Sequence, residues 1–90
     1  MDLNLIRKNL NKIDNQLVTL LAKRQSYMPA VGKYKQKNNL PITQIKREQE
    51  IFDSLKKLAK QKKVNSELIQ KIFKLIITDA KKIQRESLKK

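Results

Sequence analysis

The 90-residue chain has no cysteine, no histidine and no tryptophan. Without cysteine there is no disulfide framework, no thiolate metal site and no thiol nucleophile. Without histidine the commonest general base and the commonest metal ligand are missing too. No apolar stretch approaches the roughly 20 residues that a membrane span needs. The start MDLNLIRKNL lacks the charged segment and apolar run of a signal peptide, so a cytoplasmic chain is expected. Acidic residues are scarce: 8 stand against 22 Lys and Arg, a net charge of +14. That balance calls for anionic partners, and nucleic acid, an anionic membrane surface and a small polyanionic metabolite all satisfy it. Much of the excess is lysine scattered as KK, KQKK and the terminal Lys89 and Lys90, the pattern of a solvated face.

What remains is helix-forming. With one Gly, two Pro and abundant Leu, Ile, Lys and Gln, the composition favours an all-α chain forming one small domain, 1–90. Leu3, Ile6, Leu10, Ile13, Leu17 and Leu20 alternate in steps of three and four, the seam of a first helix that Asp2 or Asn4 caps. The seam continues to Val31 and Tyr34 and closes in KNNLP, with a kink or a break expected at Pro29. A second helix is expected from Thr43 as N-cap, carrying Ile51, Phe52, Leu55, Leu58 and Ala59. A third, capped by Asn65 or Ser66, has apolar residues on more than one side and should be buried on more than one side. An unbroken first helix of ~36 residues would span roughly 54 Å. A compact chain of this length is only about 30 Å across, so a second copy is the natural cover for the overhang.

Polar residues interrupt the apolar faces. Seam positions step through 17, 20, 24, 28 and 31, so Arg24 sits where an apolar residue is due, and Lys35 follows on the same side. Arg7 lies one position off the seam. Glu48 heads the row Phe52, Leu55, Ala59, with Arg47 beside it, and Gln84 continues the row Phe73, Ile77, Ala80. A buried charge needs a partner. Glu48 paired with Arg24 or Lys35 would answer one cation and leave the others, and an anionic ligand held among the helices accounts for the surplus. Such a site holds no ordinary nucleophile, and Glu48 is its sole candidate acid or base. Cations and an amide donor fix a polyanion and stabilise charge developing on it. A pericyclic rearrangement is one of the few reactions that needs nothing more.

In LIRKNLNKIDNQLVTLLAKR, then VGKYK, then LPI followed by KREQEIF, and finally IFKLIITDAKKIQ, the chain resembles the all-helical (AroQ class) chorismate mutases. The resemblance runs in order from Leu3 to about Gln84. It implies three helices per chain, a first helix kinked but not ended at Pro29, and an intertwined homodimer. It implies the Claisen rearrangement of chorismate to prephenate on the way to phenylalanine and tyrosine, with no metal, no cofactor, and neither nucleic acid nor membrane as partner. Carried over, Arg24 would bind a substrate carboxylate and Arg7 would reach in from the partner chain. Lys35 would contact a carboxylate and the ether oxygen, and Gln84 would donate to that oxygen. Glu48 would accept from the ring hydroxyl, and Arg47 would support the carboxylate side. Gln44 stands where an Asp is often found near that hydroxyl, and Ala80 where a Ser can help hold a carboxylate. With no regulatory or dehydratase domain in these residues, a stand-alone catalytic unit is expected. Isochorismate cleavage to salicylate and pyruvate on the same scaffold is one alternative, and a basic helical nucleic-acid-binding protein is another. The second lacks glycine-rich RNA motifs and has only four aromatic residues, two Tyr and two Phe, for stacking on bases.

Overall fold

The computed structural model describes residues 2–88, so Met1, Lys89 and Lys90 of the expected domain lie outside the described residues. Among the described residues four α-helices follow one another: α1 (Leu3–Ser26), α2 (Met28–Lys37), α3 (Ile45–Gln61) and α4 (Ser66–Glu86). The described residues contain no strand.

The helices α1 and α2 are two halves of the long first helix, interrupted only at Tyr27. Tyr27 itself stays in the right-handed helical region (φ −79°, ψ −16°). Its N–H reaches the Arg24 carbonyl at 3.3 Å, a tightened turn, and helical bonding resumes from the Val31 N–H to the Tyr27 carbonyl at 3.1 Å. Pro29 has no N–H, but it falls in the first turn of α2, where that donor would have no intrahelical partner. The outcome is one rod interrupted at a single residue, so three helical rods build the chain as expected.

Local chemistry sets the ends. Asp2 Oδ1 accepts from the Asn4 N–H at 2.9 Å, and Asn65 Oδ1 accepts from the N–H groups of Glu67 and Leu68 at 2.9 and 3.3 Å. The N-cap of α3 is Gln44 rather than the expected Thr43. Gln44 is the last extended residue, and its side chain turns back to donate to the Pro41 carbonyl at 2.8 Å instead of capping. Both α2 and α3 stop at a residue in left-handed conformation, Asn39 (φ 56°) and Lys63 (φ 57°). The following N–H groups, of Leu40 and Val64, close back on Lys35 and Ala59 carbonyls at 2.8 and 2.9 Å, the six-to-one bond of a Schellman stop.

The interior is thin and centred on α4, which contributes buried Ile77, Ala80 and Gln84 against Gly32 of α2 and Ala59 of α3. A Cβ on Gly32 would lie 2.6 Å from the Gln84 carbonyl oxygen, so glycine is what lets the α2 backbone rest on α4. By contrast α1 buries no residue, and the seam leucines at 17 and 20 remain 61% and 64% exposed. The molecule measures 56 × 28 × 15 Å with a radius of gyration of 16.4 Å. A compact chain of this length would have a radius near ~12 Å. Within the single chain α4 is covered by both α2 and α3, in line with the expectation, yet a remaining apolar strip of Leu68, Ile72 and Leu75 stays exposed. The reason is that α1 runs away from the layer of α2, α3 and α4 instead of folding back over it.

Candidate active site

A cleft of about 210 Å³ opens where the end of α1 meets α2, α3 and α4. Its wall includes Arg24, Lys35, Gln44, Arg47, Glu48, Ala80 and Gln84, which is every expected site residue except Arg7. Arg24 and Lys35 stand on either side of the interruption at Tyr27. The close approach at Gly32 brings α2 near enough for Lys35 to reach Gln84.

Lys35 Nζ donates to Gln84 Oε1 at 2.8 Å and to the Ile42 carbonyl at 2.6 Å. Both acceptors are neutral, so the ammonium keeps its charge uncancelled and one N–H to spare. Burial pushes its pKa below the usual lysine value, the nearby Glu48 carboxylate opposes that, and Lys81 adds to it. The buried Gln84 amide is thereby oriented, with its carbonyl toward Lys35. Its Nε2 donates only to Met28 Sδ at 3.4 Å, a weak acceptor that a ligand oxygen readily replaces.

Arg24 lies with its guanidinium 6.0 Å from the centroid of the Phe73 ring, and Nη1 donates to Gln25 Oε1 at 2.9 Å. Gln25 in turn donates through Nε2 to the Ile76 carbonyl at 3.0 Å and to Asp79 Oδ2 at 3.1 Å, so α4 anchors the residue that aims Arg24. Burial lowers the Arg24 pKa, and the like charge of Arg47 lowers it further. Arg47 is well exposed, 3.8 Å from an exposed Glu50, and also lines the cleft. Glu48 pairs with neither Arg24 nor Lys35, the two cations that an internal ion pair would have answered. Lys81 Nζ takes its Oε2 at 3.1 Å, with both side chains about a quarter exposed. Among the described residues the wall thus holds four cations, Arg24, Lys35, Arg47 and Lys81, against the one carboxylate of Glu48.

The site therefore suits a compact anion of more than one charge that also presents a hydroxyl or ether oxygen. Comparison with known proteins agrees. The profile of the family described as chorismate mutase type II matches residues 6–85. The chain belongs to that family. It is 35% identical over 83 residues to the chorismate mutase of Methanocaldococcus jannaschii, covering 92% of this chain and 84% of that one. It is 37% identical over 89 residues to the bifunctional chorismate mutase/prephenate dehydratase of Buchnera aphidicola subsp. Schizaphis graminum. That match covers 99% of this chain but 23% of the relative. The bifunctional protein of the same name from Escherichia coli K12 is 32% identical over 75 residues, 83% of this chain and 19% of its own length. The chain thus spans about a quarter or less of its bifunctional relatives.

Within this chorismate mutase type II chain two expected residues stand differently from the rest. Ala80 is buried and offers the cleft a methyl group only. Arg7 is exposed on α1, and the 17 residues separating it from Arg24 place it roughly 26 Å away along the helix. The sequence reading missed Lys81 and Gln25. Lys81 follows Ile77 by four and precedes Gln84 by three, so the helical row that exposed Gln84 also passes through it. In a lysine-rich chain it was counted with the solvated face.

Proposed function

We propose that the chain catalyses the rearrangement of chorismate to prephenate, and that two copies build the working sites as an intertwined homodimer. The observation that carries this reading is the pair Lys35 and Gln84, joined at 2.8 Å in a cleft with surplus positive charge. In the reaction a carbon–oxygen bond of one molecule breaks as a carbon–carbon bond forms, and no proton or group moves to the protein. The protein's task is to hold the reactive shape and to stabilise negative charge growing on the ether oxygen.

Each residue then has a role. Arg24 receives one substrate carboxylate, with Arg47 supporting it. Lys35 uses its remaining N–H toward a carboxylate and the ether oxygen. Gln84 exchanges Met28 sulfur for that same oxygen as it becomes more basic. Glu48, held at Oε2 by Lys81, accepts the ring hydroxyl at Oε1, with Gln44 on that side. Ala80 contributes only a methyl group where a serine would add one neutral hydrogen bond, worth about 1 kcal/mol net.

Two features support the second copy. The α1 seam leaves half-exposed leucines and isoleucines, each with roughly 1 kcal/mol still to gain on burial. The cleft of about 210 Å³ is smaller than the roughly 300–1,000 Å³ of ordinary ligand sites, as if short of a wall. In the dimer Arg7 of the other copy supplies that wall and a further cation.

The test is the loss of chorismate ultraviolet absorbance with purified protein, the product being identified by chromatography. Prephenate is expected, and Lys35→Ala or Arg24→Ala should lower the rate by at least ~10²-fold while leaving a folded protein. Salicylate and pyruvate from isochorismate, with no prephenate from chorismate, would overturn the reading. So would wild-type turnover in both variants.

A further inference from the structure

Among the described residues the one carboxylate on the cleft wall is held by Lys81, and the consequence of that hold reaches beyond Glu48. Lys81 projects from the same face of α4 as Gln84, three residues away, and the two divide the charged groups between them. Gln84 Oε1 takes Lys35 of α2 at 2.8 Å, and Lys81 Nζ takes Glu48 Oε2 of α3 at 3.1 Å. Lys35 and Glu48 line the same cleft and feel one another's charge. An ammonium and a carboxylate that share one partly buried cleft are drawn into a direct pair unless something else satisfies the carboxylate. Lys81 is what satisfies it. Among the described residues Glu48 Oε1 accepts no hydrogen bond, so the pair also leaves one oxygen open.

We propose that Lys81 is a positioning residue: by occupying Glu48 Oε2 it keeps Lys35 out of an ion pair with Glu48, so that the Lys35 charge stays available to the ligand. Lys81 need not touch the substrate to do this. Its effect passes through Glu48 to Lys35, and it rests on the reading of this cleft as the chorismate site.

The groups facing Lys35 define the outcome of removing Lys81. They are Gln84 and Lys81 from α4, Glu48 and Arg47 from α3, Arg24 from α1 and the Ile42 carbonyl from the connection. Without Lys81, Lys35 loses a repelling cation and gains a direct carboxylate partner. Both changes raise its pKa, and the second draws its ammonium away from the reacting oxygen.

The experiment compares Lys81→Met, Lys81→Gln and Lys81→Arg with the wild-type chain in two ways. Steady-state kinetics with chorismate are measured across the alkaline range, and the Lys35 ammonium is titrated by NMR in isotopically labelled folded protein. Either neutral variant suffices should the other fail to fold. The expected result is a kcat lowered about 10-fold, a smaller change in KM, and an alkaline limb moved upward by roughly one pH unit in the neutral variants. Lys81→Arg should restore both. A structural role alone would lower thermal stability without moving the limb. An unmoved Lys35 titration in the neutral variants overturns the proposal, as does an equal loss in Lys81→Arg. The NMR titration needs no turnover, so it tests the link from Lys81 to Lys35 even if wild-type protein leaves chorismate intact and the functional reading falls.

Discussion

Replacing Gly32 by alanine sets two effects of opposite sign against one another. In a helix interior, Gly to Ala gains up to about 1 kcal/mol from backbone entropy and helix propensity. Here the new Cβ would lie 2.6 Å from the Gln84 carbonyl oxygen, 2.9 Å from the Gln84 Cα and 2.6 Å from Ser87 Oγ. Serine can rotate away, but the Gln84 backbone cannot. Restoring ordinary contact at 3.4 Å requires α2 and α4 to part by about 0.8 Å at this point. Overpacking of that kind costs about 1–3 kcal/mol, and a rigid helix backbone as the obstacle puts the cost at the upper end. The clash therefore wins by roughly 1–2 kcal/mol, and each kcal/mol lowers the melting midpoint of a chain this size by about 4–8 °C. The same parting stretches the 2.8 Å bond between Lys35 and Gln84 toward about 3.6 Å, beyond hydrogen-bond range. Gly32→Ala should thus melt lower at matched protein concentration and lose at least ~10-fold in turnover. Adding Ser87→Ala should not rescue it, because the Gln84 backbone contacts persist. A Gly32→Ala protein that melts at or above the parent temperature with full activity would refute the close approach of α2 and α4.

Mixing Arg7→Ala chains with Arg24→Ala chains, each inactive alone, should restore part of the activity once chains exchange, since one site per heterodimer escapes both defects. No recovery after proven exchange would rule out a shared site. Lys35 must carry its proton to act as a cation, so kcat/KM should fall as pH rises through a Lys35 pKa below the usual 10.5. Lys35→Arg, charged throughout, should be slower but free of that alkaline limb. Stability runs the other way: the folded state binds this proton less tightly than the unfolded one, so between the depressed value and 10.5 the Lys35 contribution rises with pH, and Lys35→Met should remove it from melting curves. Asn65→Ala withdraws the acceptor of two N–H groups at the start of α4 and should cost about 1 kcal/mol in denaturant titration.

The rods, two of the caps and most of the cleft were legible in the sequence for one physical reason. A polar residue at an apolar register position is an anomaly, and Arg24, Lys35, Glu48 and Gln84 are four such anomalies. Lys81 sits on the same row as Gln84, but among so many lysines it raised no contrast, and only distance separates it from the solvated ones. Thr43 was misread as the cap because capping preference says which side chains suit the position, whereas the chain enters its first helical turn one residue later. The exposed apolar strip of α4 marks a different limit. Periodicity shows which faces are apolar, but not whether the cover comes from the same chain, and Leu68, Ile72 and Leu75 look alike in either case.

On the proposed function, the manner in which the cations are held carries a catalytic consequence. Lys35 rests on a carbonyl and an amide oxygen, and Arg24 on an amide oxygen beside an aromatic ring. Had each been paired with a carboxylate, its position would be as well fixed, but an incoming dianion would have to displace a resident anion of similar strength. Neutral acceptors fix geometry without cancelling charge. Burial first, and then the neighbouring charges of Arg47 at Arg24 and Lys81 at Lys35, hold both pKa values below the usual range. A dianion offsets that cost of burying charge most where its negative charge is most concentrated. In the rearrangement that point is the ether oxygen as its bond breaks, so the stabilisation is larger for the transition state than for the bound substrate. A cleft with no nucleophile and no histidine can still be catalytic on these terms, because charge held in readiness is the whole of what the reaction asks of it.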